Sequence, residues 1–217
     1  MFTDRTQAGR RLAERLISYK AKRPVVLGLP RGGVPVAAEV AKALNAPLDI
    51  IVVRKLGLPG HSEYAMGAIG EGDVRYVDWQ VVSEFGVSAS QLSRVVEREQ
   101  AEMGRRVDRY RAHRPRVAVD GRTAIVVDDG IATGSTAVAA VRVARALGAE
   151  SVVVATPVAP QDTVERLQRV ADQVVVLETP SPFYAVGQAY LDFDQVGDEE
   201  VAQILGRSLV EHFDPAA

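Results

Sequence analysis

The chain has no cysteine, so disulfides, thiolate nucleophiles and zinc–sulfur centres are excluded by composition. That absence agrees with a reducing compartment, and the expected location is cytoplasmic. It also lacks an excess of either charge: 26 basic and 28 acidic side chains leave a net charge of −2. No global positive field therefore draws it to nucleic acid or to a membrane surface. No uninterrupted apolar run is long enough to span a bilayer. The opening Met1-Phe2-Thr3-Asp4-Arg5 carries an early acid and leads into a charged amphipathic stretch, unlike a signal peptide. There is no internal repeat and no low-complexity tract. What remains is ordinary for a globular chain: 217 residues, 47% apolar and 25% charged. That length suits one α/β domain over 1–217 carrying an insertion, rather than two full domains.

The apolar pattern alternates between helix and strand. Asp4 to Tyr19 reads as a helix, with Ala8, Leu12, Leu16 and Tyr19 on one face. Pro24 to Gly28 reads as a buried strand, followed by a glycine turn and an alanine-rich helix to Leu44, with Pro35 in its first turn. Leu48 to Val53 reads as a second buried strand. A glycine-rich segment runs from Lys55 to Gly72, within which Gly57 to Gly70 reads as a long loop, and Val74 to Val77 reads as a short strand or hairpin arm. Ser90 to Arg111 has the spacing of one long helix within an insertion over about 78–115. Then come a strand at Thr123–Val127, a helix at Ala137–Leu147 closed by Gly148, and a strand at Ser151–Ala155. A helix at Asp162–Val170, a strand at Gln173–Leu177 and a helix from Asp198 to about Leu209 complete the series. The strands are apolar throughout, so both sheet faces must be covered. The expected fold is α/β, a mostly parallel sheet with helices on each face. Ligands in such sheets sit beyond the carboxyl ends of the strands.

The most informative stretch is Ala124-Ile125-Val126-Val127-Asp128-Asp129-Gly130-Ile131-Ala132-Thr133-Gly134-Ser135-Thr136. An apolar strand ends in adjacent carboxylates, and a glycine- and hydroxyl-bearing loop then opens a helix. The loop suits a phosphate, which backbone N–H groups at a helix N-terminus attract. The acid pair would repel a bare anion and suits sugar hydroxyls or a metal. A ribose 5-phosphate answers to both halves. No Lys follows Gly134, so this is not a Walker loop, and G-x-G-x-x-G does not occur. The competing reading is a plain strand–turn–helix in which one Asp or Thr caps the helix.

This stretch resembles the signature of type I phosphoribosyltransferases that binds 5-phosphoribosyl-1-pyrophosphate (PRPP): four apolar residues, two acids, a short linker and Thr-Gly-x-Thr. The resemblance implies that the domain transfers a phosphoribosyl group to a nitrogen acceptor such as a nucleobase, releasing pyrophosphate, with Mg²⁺ as cofactor. Asp128 and Asp129 would hold the ribose hydroxyls, serve catalysis and bear indirectly on the metal. Gly130, Ile131, Ala132, Thr133, Gly134, Ser135 and Thr136 would wrap the 5-phosphate. Gly130 departs from the aliphatic residue commoner there, a change expected to alter loop stiffness. Ala132 stands where hypoxanthine-type enzymes carry an acid, which brings the loop closer to the adenine-type pattern. Homodimers are common in the family, and a homodimer is the expectation here by that analogy.

Other segments fit in order. Gly28-Leu29-Pro30-Arg31-Gly32-Gly33 resembles the family's pyrophosphate loop, with Arg31, Gly32 and Gly33 meeting the ligand. Arg54 and Lys55, at the end of the second strand, are expected to face the same crevice, with Lys55 assisting catalysis. The Gly57–Gly70 segment, containing His61 and Glu63, corresponds to a mobile catalytic loop. Ser181 to Phe193 loosely resembles a base-binding hood over about 179–197, in which Phe183 and Tyr184 would meet the acceptor. Core packing of Phe183, Tyr190 and Phe193 is the alternative. The Arg105–Arg116 stretch reads as a solvated face balanced by Glu97, Glu99 and Glu102. A second use of the fold, a PRPP- or nucleotide-sensing regulator that binds RNA, would draw on those arginines.

Overall fold

The structure is a computed structural model that describes residues 1–71, 74–111 and 115–212, the side chains of 61–64 and 208–212 excepted. Helix α1, Arg5–Leu16, begins where Asp4 accepts the Gln7 N–H at 2.7 Å. It gives way to a 3-10 turn at Ile17–Lys22, so the α-helix stops short of Tyr19. Strand β1, Val25–Gly28, leads into helix α2, Gly33–Leu44, and strand β2, Leu48–Ile50. The chain then leaves for a separate antiparallel sheet: β3 Val53–Leu58, β4 His61–Gly70 and β5 Arg75–Val77. Helices α3, Trp79–Glu84, and α4, Ala89–Arg111, occupy the stretch expected as the insertion. The main sheet resumes with β6 Thr123–Val127, helix α5 Ser135–Ala146, β7 Ser151–Val158, helix α6 Gln161–Gln168 and β8 Gln173–Glu178. Helix α7, Asp198–His212, closes the described chain.

The main sheet is parallel, in the order β2-β1-β6-β7-β8. The α/β class and parallel sheet read from the sequence are therefore present. Its strands are apolar without alternation because each face meets a different helix layer. Val26, Ile125, Val127 and Val153 join the core that includes α1, α2 and α4. Val25, Leu27, Val126 and Val154 join the core beneath α5 and α6. Strand order reverses between β1 and β6, and the carboxyl ends there part to opposite faces, opening a crevice.

Two expectations are corrected. The apolar run Leu48–Val53 is not one strand: β2 ends at Ile50, and Val53 begins β3 in the second sheet. Apolarity records burial, and burial continues across that change of sheet. The Gly57–Gly70 segment is not a loop but most of a hairpin, with register shifts on either side of Gly57. Its glycines permit close approach. A Cβ on Gly67 would stand 2.3 Å from the Tyr76 carbonyl oxygen, and one on Gly70 would stand 2.3 Å from Val143 Cγ1. The side chains of His61 and Glu63 lie outside the described residues.

The solvated face assigned to the arginine-rich stretch is also corrected at its end. Arg111 is 7% exposed and reaches Asp49 at 2.8 Å, Glu71 at 2.5 Å and the Ile50 carbonyl at 3.3 Å. Burial works against its charge, and Glu71 and Asp49 outweigh that, raising its pKa above the ordinary arginine value. The network ties the insertion to β2 and to the end of β4. Removing one partner strands buried charge, so Arg111→Ala should cost about 3–5 kcal/mol in urea unfolding. Arg10→Ala, which breaks an exposed pair with Glu39, should cost less than about 1 kcal/mol in the same measurement.

Candidate functional site

The loops after β1 and β6 leave the sheet side by side. Gly28 is in register with Val127, and the Leu29 N–H donates to the Val127 carbonyl at 2.8 Å. The first loop presses against the acid pair. A Cβ on Gly32 would lie 2.0 Å from Asp129 Oδ2, and one on Gly33 would lie 2.6 Å from the Val127 carbonyl oxygen. Gly32 has an ordinary helical φ of −60°, so glycine is needed there for space, not for its backbone freedom.

The carboxylates differ in their surroundings. Asp129 Oδ2 accepts from Arg5 Nε at 2.8 Å, and both side chains are mostly withdrawn from solvent. Asp128 has no such cation among the described residues. Its Oδ1 accepts the Asp129 N–H at 3.0 Å. Burial, then the charge of Asp129, push the Asp128 carboxyl well above its ordinary range. Arg5 is held in turn: it donates to the Asp194 carbonyl at 2.7 Å and lies 4.0 Å over the Phe193 ring. Tyr190 stacks on Phe193 at 4.9 Å and donates its hydroxyl to the Asp129 carbonyl at 2.5 Å.

The phosphate-type loop is shaped by what it lacks. Gly134, with φ +74°, is the N-cap of α5 and offers no capping side chain. The first N–H groups of that helix have no intrahelical acceptor. The helix begins at Ser135, two residues before the expected Ala137, which brings Ser135 and Thr136 into its first turn. Its carbonyl side is committed elsewhere: Ala132 O accepts from Thr163 Oγ1 at 2.6 Å, and Thr133 O accepts from Arg166 at 2.9 Å. The loop is thus anchored by its acceptors, and its Thr133 and Ser135 hydroxyls lie 3.4 Å apart. The capping reading of the motif fails at Gly134.

Lys55, half-exposed on β3, has no ion-pair partner among the described residues. It lines a cavity of about 300 Å³ that also contains Thr136 and Arg54. Arg54, expected to face the crevice beside Lys55, lines this cavity and is ion-paired within it. Its guanidinium is bound at 2.8 and 2.5 Å by Glu99 of α4. Burial raises the Glu99 pKa, and the hydrogen bonds of Arg54 and Arg98 outweigh it and hold the carboxyl low. Arg31 points toward Asp198, 3.7 Å away.

The hood segment holds a 3-10 turn at Val186–Ala189. Phe183 packs half-buried beside a small core of Phe2, Ala8, Val158 and Tyr190. Tyr184 is 83% exposed. Neither is bonded to the acid pair. Tyr190 and Arg5 bond to Asp129, and Phe193 packs on both; the sequence reading named none of the three as site residues. Tyr190 and Phe193 carried a signal as aromatics of the hood; Arg5, at the start of a surface-type helix, carried none. The departure at Gly130 has a packing cause: a Cβ there would come within 2.1 Å of Val186 Cγ1, so glycine admits the hood.

A parallel sheet with a strand-end acid pair, an uncapped phosphate-type loop and a neighbouring glycine turn at the switch point defines a type I phosphoribosyltransferase fold. The family described as "Phosphoribosyl transferase domain" matches residues 2–194, and the chain belongs to it. A Mycobacterium tuberculosis H37Rv protein named "Putative phosphoribosyl transferase" is 52% identical over 208 residues, 96% of this chain and 47% of its own length. The chain thus spans about half the length of the curated relatives it matches. The crystal structure of TT1426 from Thermus thermophilus superposes with a TM-score of 0.89 at 46% identity, covering 94% of this chain and 97% of that one. A Pyrococcus furiosus ribose-phosphate pyrophosphokinase shares 39% identity over 69 residues, 30% of this chain and 25% of its own length.

With its folded pKa above the ordinary value of 3.8, Asp128 favours folding at low pH, and that contribution is lost as pH rises through the raised pKa. Asp129→Asn removes the like charge. The Asp128 carboxyl should then titrate at lower pH than in the native protein, as read by carboxyl carbon NMR. Gly32→Ala should push the Asp129 carboxylate from its place and cost about 1–3 kcal/mol of stability by overpacking. A crystal structure of the variant would show whether the Arg5 pair survives.

Proposed function

We propose that this domain transfers the 5-phosphoribosyl group of PRPP to a nitrogen acceptor of the nucleobase class and releases pyrophosphate. One observation carries the reading: an uncapped helix N-terminus with three hydroxyls stands directly after a carboxylate pair, at the switch point of the sheet. A phosphate at the loop and ribose hydroxyls at the carboxylates fit that order.

In this reading the loop of Gly130, Ile131, Ala132, Thr133, Gly134, Ser135 and Thr136 takes the 5-phosphate through backbone N–H groups and hydroxyls. Asp128 and Asp129 accept hydrogen bonds from the ribose 2- and 3-hydroxyls, and Arg5 keeps one Asp129 oxygen in place. The glycine turn with Arg31, Gly32 and Gly33 lets backbone amides approach the pyrophosphate, and Lys55 adds positive charge. The acceptor nitrogen supplies an electron pair to C1, and the C1–O bond to pyrophosphate breaks with its pair on the leaving oxygen. The proton of the acceptor N–H passes to solvent. The chain contributes positioning and electrostatics, with the carboxylates near the positive charge that develops on the sugar.

Mg²⁺ fits this site as an ion carried mainly by substrate. Among the described residues no group of three His, Cys, Asp or Glu could cage it. Magnesium needs only one or two carboxylates when substrate oxygens and waters complete its shell. Asp128, which lacks a cation partner among the described residues, and Asp129 are the carboxylates available. When bound, the ion would neutralise charge on the leaving pyrophosphate. No helix among the described residues is long and apolar enough to cross a membrane.

The double variant Asp128→Asn/Asp129→Asn should stay folded by circular dichroism and lose PRPP affinity by about 100-fold or more in calorimetry, since several charge-assisted hydrogen bonds go at once. Unchanged affinity in a folded variant would sink the reading. With PRPP, Mg²⁺ and a panel of nitrogen acceptors, pyrophosphate release should depend on the acceptor supplied.

A further inference from the structure

Arg5 is badly placed for the helix that carries it. It is the first residue of α1, where the positive end of the helix dipole opposes a cation. Its side chain is only 12% exposed, so its charge has also lost most of its hydration. Neither feature stabilises α1. What the guanidinium reaches accounts for both: Asp129 Oδ2 at 2.8 Å and the Asp194 carbonyl at 2.7 Å, with the Phe193 ring 4.0 Å away. A planar, forked group that bridges two acceptors while lying on a ring is confined to one orientation.

That orientation passes to Asp129. Its Oδ2 is held by Arg5 and stands against Gly32, where a Cβ would come within 2.0 Å. Tyr190 holds the backbone of the same residue by donating to its carbonyl. The hood is in turn joined to the start of α1. The Phe2 N–H donates to the Ala189 carbonyl at 2.7 Å, and the Leu191 and Asp192 N–H groups donate to the Phe2 and Thr3 carbonyls at 2.8 and 2.9 Å. Phe2 is fully buried, with its ring 5.5 Å from that of Tyr190. The hood and the first residues are therefore one unit, and Arg5 is its grip on the Asp129 carboxylate. An ion pair at this depth stabilises little beyond what apolar packing would. What it supplies here is a carboxylate that cannot turn, and hydrogen bonds to sugar hydroxyls weaken steeply when misaligned.

We propose that Arg5 sets the selectivity of the site for ribose: as a positioning residue clamped by the hood, it holds the Asp129 carboxylate in line with the ring hydroxyls. The role rests on the phosphoribosyl-transfer reading, in which the acid pair accepts from those hydroxyls. Through Arg5, packing within the hood governs how well the sugar is recognised.

The probes are ribose 5-phosphate and its 2,3-dideoxy analogue, which keeps the phosphate and lacks both ring hydroxyls. Each is titrated calorimetrically into native protein and into variants whose fold is checked by circular dichroism. Native protein should bind ribose 5-phosphate about 30-fold or more tighter than the analogue, because hydrogen bonds to carboxylates are missing from the latter. Arg5→Gln should reduce that preference about 10-fold and leave affinity for the analogue within about 3-fold. Phe193→Leu, which removes the ring against the guanidinium and no charge, should reduce the preference about 3-fold. A merely structural role would weaken both ligands alike, so an unchanged preference in either folded variant would overturn the proposal. Arg10→Gln, on the same helix but paired with Glu39 at the surface, should keep the native preference. An equal loss there would assign the effect to α1 as a whole and overturn the proposal too. Native protein that bound both ligands equally, or neither, would remove the ribose reading of the acid pair, and the role of Arg5 with it.

Discussion

The site depends on how closely two loops approach at the carboxyl ends of β1 and β6. Parallel pairing sets Gly28 beside Val127, and the next residues of both chains must leave the sheet at one point. Only a residue without a side chain can sit at position 32 while Asp129 keeps its carboxylate where it is, 2.0 Å from where a Cβ would stand. That crowding brings a turn rich in backbone N–H groups against an acid pair. Parts suited to opposite charges then share one crevice, and a ligand with an anionic end and hydroxyls can span both.

From that point the structure spreads outward through ion pairs. Arg5 links Asp129 to α1 and, through the ring of Phe193, to the hood. Tyr190 reaches the same residue through its backbone carbonyl. On the other flank, Glu99 draws Arg54 toward α4, and Asp198 gathers Arg109 and Arg31. The N-terminal helix, the insertion and the C-terminal helix therefore all terminate on side chains of the crevice. Arg111 anchors the insertion at depth, where unpaired charge is costly. Its neighbours Arg105 and Arg109 are left at the surface to line a cavity.

The sequence by itself determined the α/β class, because uniformly apolar strands separated by amphipathic helices admit few other arrangements. It determined the strand at Thr123–Val127 and the loop to Thr136 as well, since the acids, glycines and hydroxyls there are contiguous and act through local geometry. It did not determine where a buried run changes sheets, as at Ile50–Val53, because apolarity is the same in either sheet. Glycines meant to read as a loop proved to be close contacts in a hairpin, since spacing along the chain does not tell what lies across from a residue. Tertiary structure alone decided that Arg5, Tyr190 and Phe193 meet Asp129, and that Arg54 pairs with Glu99. Those partners lie far apart in the chain, and only packing brings their charges within a few ångströms.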